Sequence, residues 1–226
     1  MEYMTYSEYR RVARENLAGN WKLSVATAFV ASLFGALIAG TQSRLDIDAE
    51  IMARLPAVLV TYFKVLTTIG LILAIPSIII GGAVQIGYAQ YLLKQYNHAN
   101  FEFRDLFSQF DRLWQGFLQS FLRSLYVILW SLLFLIPGII KSYAYAMTPF
   151  IMAENPDMTA SEAIAASAEL MKGHKLDLFF LSLTFLGWTL LNLLTLGIGS
   201  LFLNPYMNAA HAAFYKDITR TNREYE

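Results

Sequence analysis

Long apolar runs separated by short polar breaks dominate the chain. Trp21–Gly40, Ala57–Leu93, Phe117–Ile136 and Leu176–Leu196 are each about as long as a helix that crosses a hydrocarbon core, roughly 30 Å or more. Two shorter apolar arms run from the Ile136-Pro137-Gly138 break to Met152 and from Leu201 to Tyr215. The pattern predicts an all-α fold, a polytopic integral membrane bundle of about six spans arranged as three helical hairpins. Ala57–Leu93, too long for one ordinary span at roughly 55 Å, is expected to cross once, with Pro76 and Gly81-Gly82 breaking it; the alternative is two passes divided near Pro76. A Pro-Gly pair can end one helix and start the next, so the central hairpin is expected to turn at Pro137-Gly138, with the Lys141 ammonium reaching out of the apolar layer.

Between the apolar runs lie shorter segments of mixed pattern. Thr5–Ala18 and Thr159–Lys172 both read as amphipathic helices, opened by a threonine with a glutamate three residues on, the spacing of a capping box. Thr5, Ser7, Glu8 and Gly19 recur as Thr159, Ser161, Glu162 and Gly173 at one offset, 154, which indicates an internal repeat. Lys94–Gln115 places Phe103, Leu106, Phe107, Phe110 and Trp114 at spacings of three and four and is expected to form an interfacial amphipathic helix. Thr41–Pro56 reads as a polar loop, Gly197-Ile198-Gly199 as a turn and Lys216–Glu226 as a polar tail. The whole chain, 1–226, is expected to be one membrane domain: a cytoplasmic amphipathic helix (1–20), the bundle (21–215) and a cytoplasmic tail (216–226).

Composition sharpens this picture. Hydrophobic residues make up 56% of the chain and charged ones 15%, against about 25% charged in an average soluble domain. Seventeen basic residues balance seventeen acidic ones, which argues against a nucleic-acid partner. With no cysteine, disulfides and thiolate metal sites are excluded. In the six-span arrangement, thirteen of the seventeen Lys and Arg residues fall on one side, the sense of the positive-inside rule. The expected location is therefore a bacterial cell membrane, multi-pass, with both termini cytoplasmic.

The runs IPGIIKSYAYAMTPFIMAENPD, LAGNWKLS, ELMKGHKLDLF, LTLGIGSLFLNPY and AAFY resemble the bacterial integral membrane family classified as domain of unknown function 975, from about Tyr6 to Asp217. IPGI followed by a span and an ENPD-type turn is more distantly similar to the membrane domain attached to some glycerophosphodiester phosphodiesterases. The first resemblance implies a polytopic helical membrane protein and brings no reaction or catalytic residue. The second does not extend to phosphodiesterase chemistry, because the chain has no separate catalytic domain.

No phosphate-binding loop, nucleophile motif or metal-ligand spacing is present, so no catalytic residue, cofactor or metal is expected. The cluster Lys172, His174 and Lys175 is a candidate contact for anionic lipid headgroups or a protein partner. Asn204, Asn208 and His211 share one helix face, expected to turn into the bundle either as a hydrogen-bonded packing network or as a ligand path. The function expected is a non-enzymatic membrane protein that organises, regulates or senses at the bilayer, with membrane lipids or a membrane protein as partner. The alternative is a transporter or pore for a small or lipid-like molecule.

Overall fold

The computed structural model describes residues 3–40, 57–194 and 199–225. These are helical throughout: α1 (Tyr6–Leu17), α2 (Trp21–Gly40), α3 (Ala57–Tyr96), two 3-10 turns (Phe103–Phe107 and Phe110–Arg112), α4 (Leu113–Leu133), α5 (Leu135–Ala144), α6 (Thr148–Glu154), α7 (Ala160–Leu170), α8 (Lys175–Leu183), α9 (Leu186–Leu194) and α10 (Ser200–Tyr225). The expected loop Thr41–Pro56 and residues 197 and 198 of the expected turn lie outside the described residues.

The all-α class holds, but the six membrane spans do not. Among the described residues, no helix is long and apolar enough to cross a membrane. The reasons are local. The run Leu176–Leu196 is two nine-residue helices, α8 and α9, separated at Thr184-Phe185. The arm after Pro137 is likewise two pieces, ten residues in α5 and seven in α6. In α4, Gln119 is fully buried and Arg123 sits mid-helix, where burial lowers its pKa. The supposed tail continues α10 as helix to Tyr225, with Asp217 and Thr221 in the interior. With the spans go the three-hairpin topology, the charge-based orientation, the bacterial membrane location and the bilayer-based function with its transporter alternative.

Other expectations shift by a few residues. The central break falls at Phe134, which is extended (φ −159°, ψ 144°), so Pro137 lies inside the first turn of α5. Gly138 lets the two arms close: a Cβ there would sit 2.0 Å from the Ser131 hydroxyl oxygen. Lys141 does not reach outward; its ammonium lies 4.7 Å from the Trp130 ring centroid and 5.8 Å from that of Tyr145. Helix α3 runs unbroken through Pro76 and Gly81-Gly82. Gly82 serves contact instead, since a Cβ on it would lie 1.9 Å from the Gly116 carbonyl oxygen of α4. Lys94–Gln115 forms the two 3-10 turns rather than one amphipathic helix. Asp105 ties them down, accepting from the Lys94 ammonium (2.6 Å) and the Glu102 amide (2.9 Å).

The internal repeat is visible in the backbone. Thr5 and Thr159 have nearly identical cap dihedrals (φ −73°, ψ 159° and φ −71°, ψ 159°). The amide of each donates to the carboxylate of the glutamate three residues on, Glu8 (2.6 Å) and Glu162 (2.8 Å). Each helix ends at a left-handed glycine, Gly19 (φ +80°) and Gly173 (φ +82°), a conformation that a side chain would strain.

One core joins α1, α3, α6, α8 and α10 through Tyr9, Leu17, Tyr91, Met152, Leu181, Phe185 and Phe214. Several of its polar groups are pinned. The buried Asp217 carboxylate accepts from the Tyr9 hydroxyl (2.7 Å), the Met4 amide (2.9 Å) and Arg220 (3.3 Å). Gln95 donates to Ser24 (2.9 Å) and to the Asn16 carbonyl (3.2 Å). Glu154 pairs with Lys216 and accepts from the Tyr215 hydroxyl, fastening α6 to α10. Much of the remaining apolar surface points outward, with Leu132 78%, Phe134 71% and Ile136 70% exposed.

Candidate functional site

Where α1 turns into α2, the Gly19 corner swings Trp21 toward α9 and α10. A cavity of about 480 Å³ opens there, lined by Arg14, Trp21, Trp188, Leu191, Asn192, Gly199, Phe202, Leu203 and Tyr206. The aromatic and aliphatic side chains form the walls. Arg14 brings a guanidinium, and Asn192 and Tyr206 add polar atoms. Among the described residues Arg14 has no carboxylate partner; the ion pair on its helix joins Arg11 to Glu15 instead (3.2 Å). Trp21 is held against Phe202, their ring centroids 6.4 Å apart, while Phe185 and Tyr206 pack edge to face at 5.1 Å behind the cavity. Volume and lining match the size and character of small-molecule sites in general, which are largely apolar with a few placed polar groups.

The sequence-derived candidates are placed elsewhere. Lys172 is paired with Glu169 (2.6 Å) on the surface of the α7 corner, and Lys175 opens α8. His174 is folded in. Its Nδ1 lies 3.2 Å from the Asp177 carboxylate and its Nε2 3.4 Å from the Tyr3 hydroxyl. Lys172 and His174 are thus each beside a carboxylate. The expectation of anionic lipid as their partner rested on a membrane-embedded topology, and among the described residues no helix is long and apolar enough to cross a membrane.

Asn204, Asn208 and His211 do share a face of α10, but they do not form one network. Asn208 donates back to the Asn204 carbonyl (2.8 Å) on its own helix. The His211 Nε2 is buried with no hydrogen-bond partner, and burial pushes its pKa down to about 4, so the ring is neutral. Among the described residues no group of three or more potential metal ligands converges.

The cavity residues were mostly absent from the sequence-based candidates. Arg14 lies within the expected amphipathic helix Thr5–Ala18, and Trp21 opens the first expected span, Trp21–Gly40. Trp188 and Leu191 read as mid-span residues, since the break between α8 and α9 at Thr184-Phe185 itself carries neither proline nor glycine. The usable signal was Pro205-Tyr206 beside Asn204, a polar interruption of an apolar arm.

Among families, one described as "Protein of unknown function (DUF975)" matches residues 132–222. That is less than half of the 226-residue chain. It corrects the extent of the resemblance: the central and carboxy-terminal runs fall inside the match, whereas LAGNWKLS, with Gly19, Asn20 and Trp21, falls outside it. No curated protein and no solved structure matches the chain, so the distant likeness to phosphodiesterase membrane domains gains no support.

Proposed function

We propose that this protein is a binding module, without a reaction of its own, that takes a small apolar molecule carrying an anionic group into the cavity between α1, α2, α9 and α10. The observation that carries the reading is the pairing of apolar walls with one guanidinium that has no carboxylate partner among the described residues. Apolar burial supplies affinity at about 25 cal/mol per Å². A charge-assisted hydrogen bond from Arg14 sets orientation and selects the sign of the head group. Binding is favoured over turnover because the described lining residues include no carboxylate, histidine or other general base.

The test uses Trp21 and Trp188 as reporters. Decanoate, decanol and decylammonium are titrated below their aggregation limits while tryptophan emission is followed. Saturable binding is expected for decanoate, weaker binding for decanol and the weakest for decylammonium. Arg14→Gln should reduce decanoate affinity about ten-fold, or about 1.4 kcal/mol, and leave decanol unchanged. Leu203→Trp, which fills the cavity, should abolish binding of both. Decanoate binding that survives Leu203→Trp would overturn the assignment.

A further inference from the structure

A second cavity, of about 290 Å³, shares no lining residue with the first. It lies where the segment before α1 meets the start of α8 and the middle of α10. Tyr3, Tyr6, Tyr9 and Phe214 bring four aromatic rings to it, and His174 and Asp177 supply its polar edge. No lysine or arginine is among the described residues that line it.

The hydrogen bonding leaves this edge negative. Tyr9 donates its hydroxyl to Asp217 (2.7 Å), so that phenol is committed to the core. The Met4 amide, also bound to Asp217, holds the Tyr3–Thr5 segment over the cavity. His174 sits between the Tyr3 hydroxyl and the Asp177 Oδ2, and the Tyr6 hydroxyl also interacts with the Asp177 carboxylate. Asp177 is 45% exposed in its side chain, so the carboxylate is reachable. The negative field registers in the neighbouring phenols. Burial first, then the Asp177 charge, raises the pKa of Tyr6. Burial first, then the bond to Asp217, raises that of Tyr9.

Aromatic rings carry negative faces that attract cations, and the Asp177 carboxylate adds a full charge with no lysine or arginine among the described lining residues competing for it. A compact, strongly hydrated ammonium or metal ion would lose its water to rings that cannot replace it. An alkylated ammonium is poorly hydrated and apolar at its surface, which suits such a lining. We infer that this cavity is a binding site for a small organic cation of the tertiary or quaternary alkylammonium class. The volume, at the low end for ligand cavities, fits a head group of that kind with a short substituent and no long chain.

The experiment compares choline with its neutral carbon isostere, 3,3-dimethylbutan-1-ol, by isothermal titration on the full chain, with tetramethylammonium as a third ligand. Choline and tetramethylammonium should bind, and the isostere should bind at least ten-fold more weakly. Asp177→Asn should weaken choline about ten-fold and leave the isostere unchanged. Tyr3→Leu, at a partly exposed ring outside the core, should weaken both cations several-fold. Circular dichroism of each variant establishes that the helices are intact. Equal affinity for choline and the isostere would overturn the inference, as would choline binding indifferent to both substitutions or absent at millimolar concentration. Decanoate binding at the other cavity stands or falls independently of all these outcomes.

Discussion

Acidification should destabilise this protein through His211 in particular. The ring is half-buried on α10, its Nε2 is buried with no hydrogen-bond partner, and burial lowers its pKa from 6.5 to about 4. The folded state therefore binds a proton less readily than the unfolded chain does. Where the unfolded chain binds more protons, stability falls as pH falls. The contribution is fully present above pH 6.5 and is lost progressively between there and the folded value near 4. Between pH 8 and pH 5 the unfolded histidine becomes almost fully protonated while the folded one stays mostly neutral. The difference amounts to about 2 kcal/mol, at about 1.4 kcal/mol per pH unit over the steep part. Carboxylates titrate in the same range, so the informative quantity is a difference between two proteins. Urea unfolding followed by circular dichroism at pH 8, 7, 6 and 5 is compared for wild type and His211→Leu. The variant should match or exceed wild type at pH 8, because it removes a buried polar atom without a partner. It should then gain about 2 kcal/mol relative to wild type by pH 5. Parallel stability curves for the two proteins would refute the buried, neutral histidine.

Substitutions at two further positions test how the helices are held together. Gly82→Val should cost about 3 kcal/mol or more, seen as a large fall in Tm, because its Cβ would meet the backbone of Gly116 at 1.9 Å, where no side chain can move aside. Lys141→Leu should cost about 0.5–1 kcal/mol in urea unfolding and Lys141→Arg almost nothing, since a guanidinium also stacks on Trp130 and Tyr145; equal losses for both would remove the cation–π contact.

The sequence was most legible where a local rule acts alone. Capping boxes at Thr5 and Thr159 and the glycines that end their helices depend on residues within one or two turns, and all four appear as expected. Hydrophobic length was misleading because it does not register where a helix stops. The apolar run through Leu183, Thr184, Phe185 and Leu186 contains no proline or glycine at the break. There the amides of Thr184 and Phe185 bond three residues back, to Leu181 and Ser182, and end α8. Conversely, Pro76 and Gly81-Gly82 read as breaks and lie within continuous helix. Apolar residues along these runs were also assigned by pattern to one environment. The structure splits them between the core and an outward face, as with buried Leu181 and exposed Leu183. Tyr3, Tyr6 and Tyr9 stand three apart in the sequence, a spacing not singled out there, and only the fold shows that they meet His174 and Asp177 from the other end of the chain.

One cavity lies beside each of the two repeated corners. The same corner occurs twice, a capped helix running into a left-handed glycine whose following amide bonds back to the last turn: Asn20 to the Leu17 carbonyl, and His174 to that of Met171. Backbone geometry is shared, so the residues just past each glycine are delivered to comparable positions relative to their own helix. After Gly19 the chain delivers Trp21, and the helix before it carries Arg14; the cavity there has an apolar wall and a cation. After Gly173 it delivers His174 and Asp177, and the position equivalent to Arg14 is Ala168, so the second corner has a carboxylate and no matching cation. The charged lining residues therefore differ in sign, Arg14 at the first cavity and Asp177 at the second, although the repeat does not equate their positions. The pair of ligands proposed above, an anionic amphiphile at the first and an alkylammonium at the second, is what that difference in side chains selects. Exchanging the signs tests this directly. Arg14→Glu should turn the first cavity from decanoate toward decylammonium, and Asp177→Lys should abolish choline binding at the second while leaving decanoate untouched. A loss of decanoate binding in folded Asp177→Lys protein would show that the two corners do not act separately.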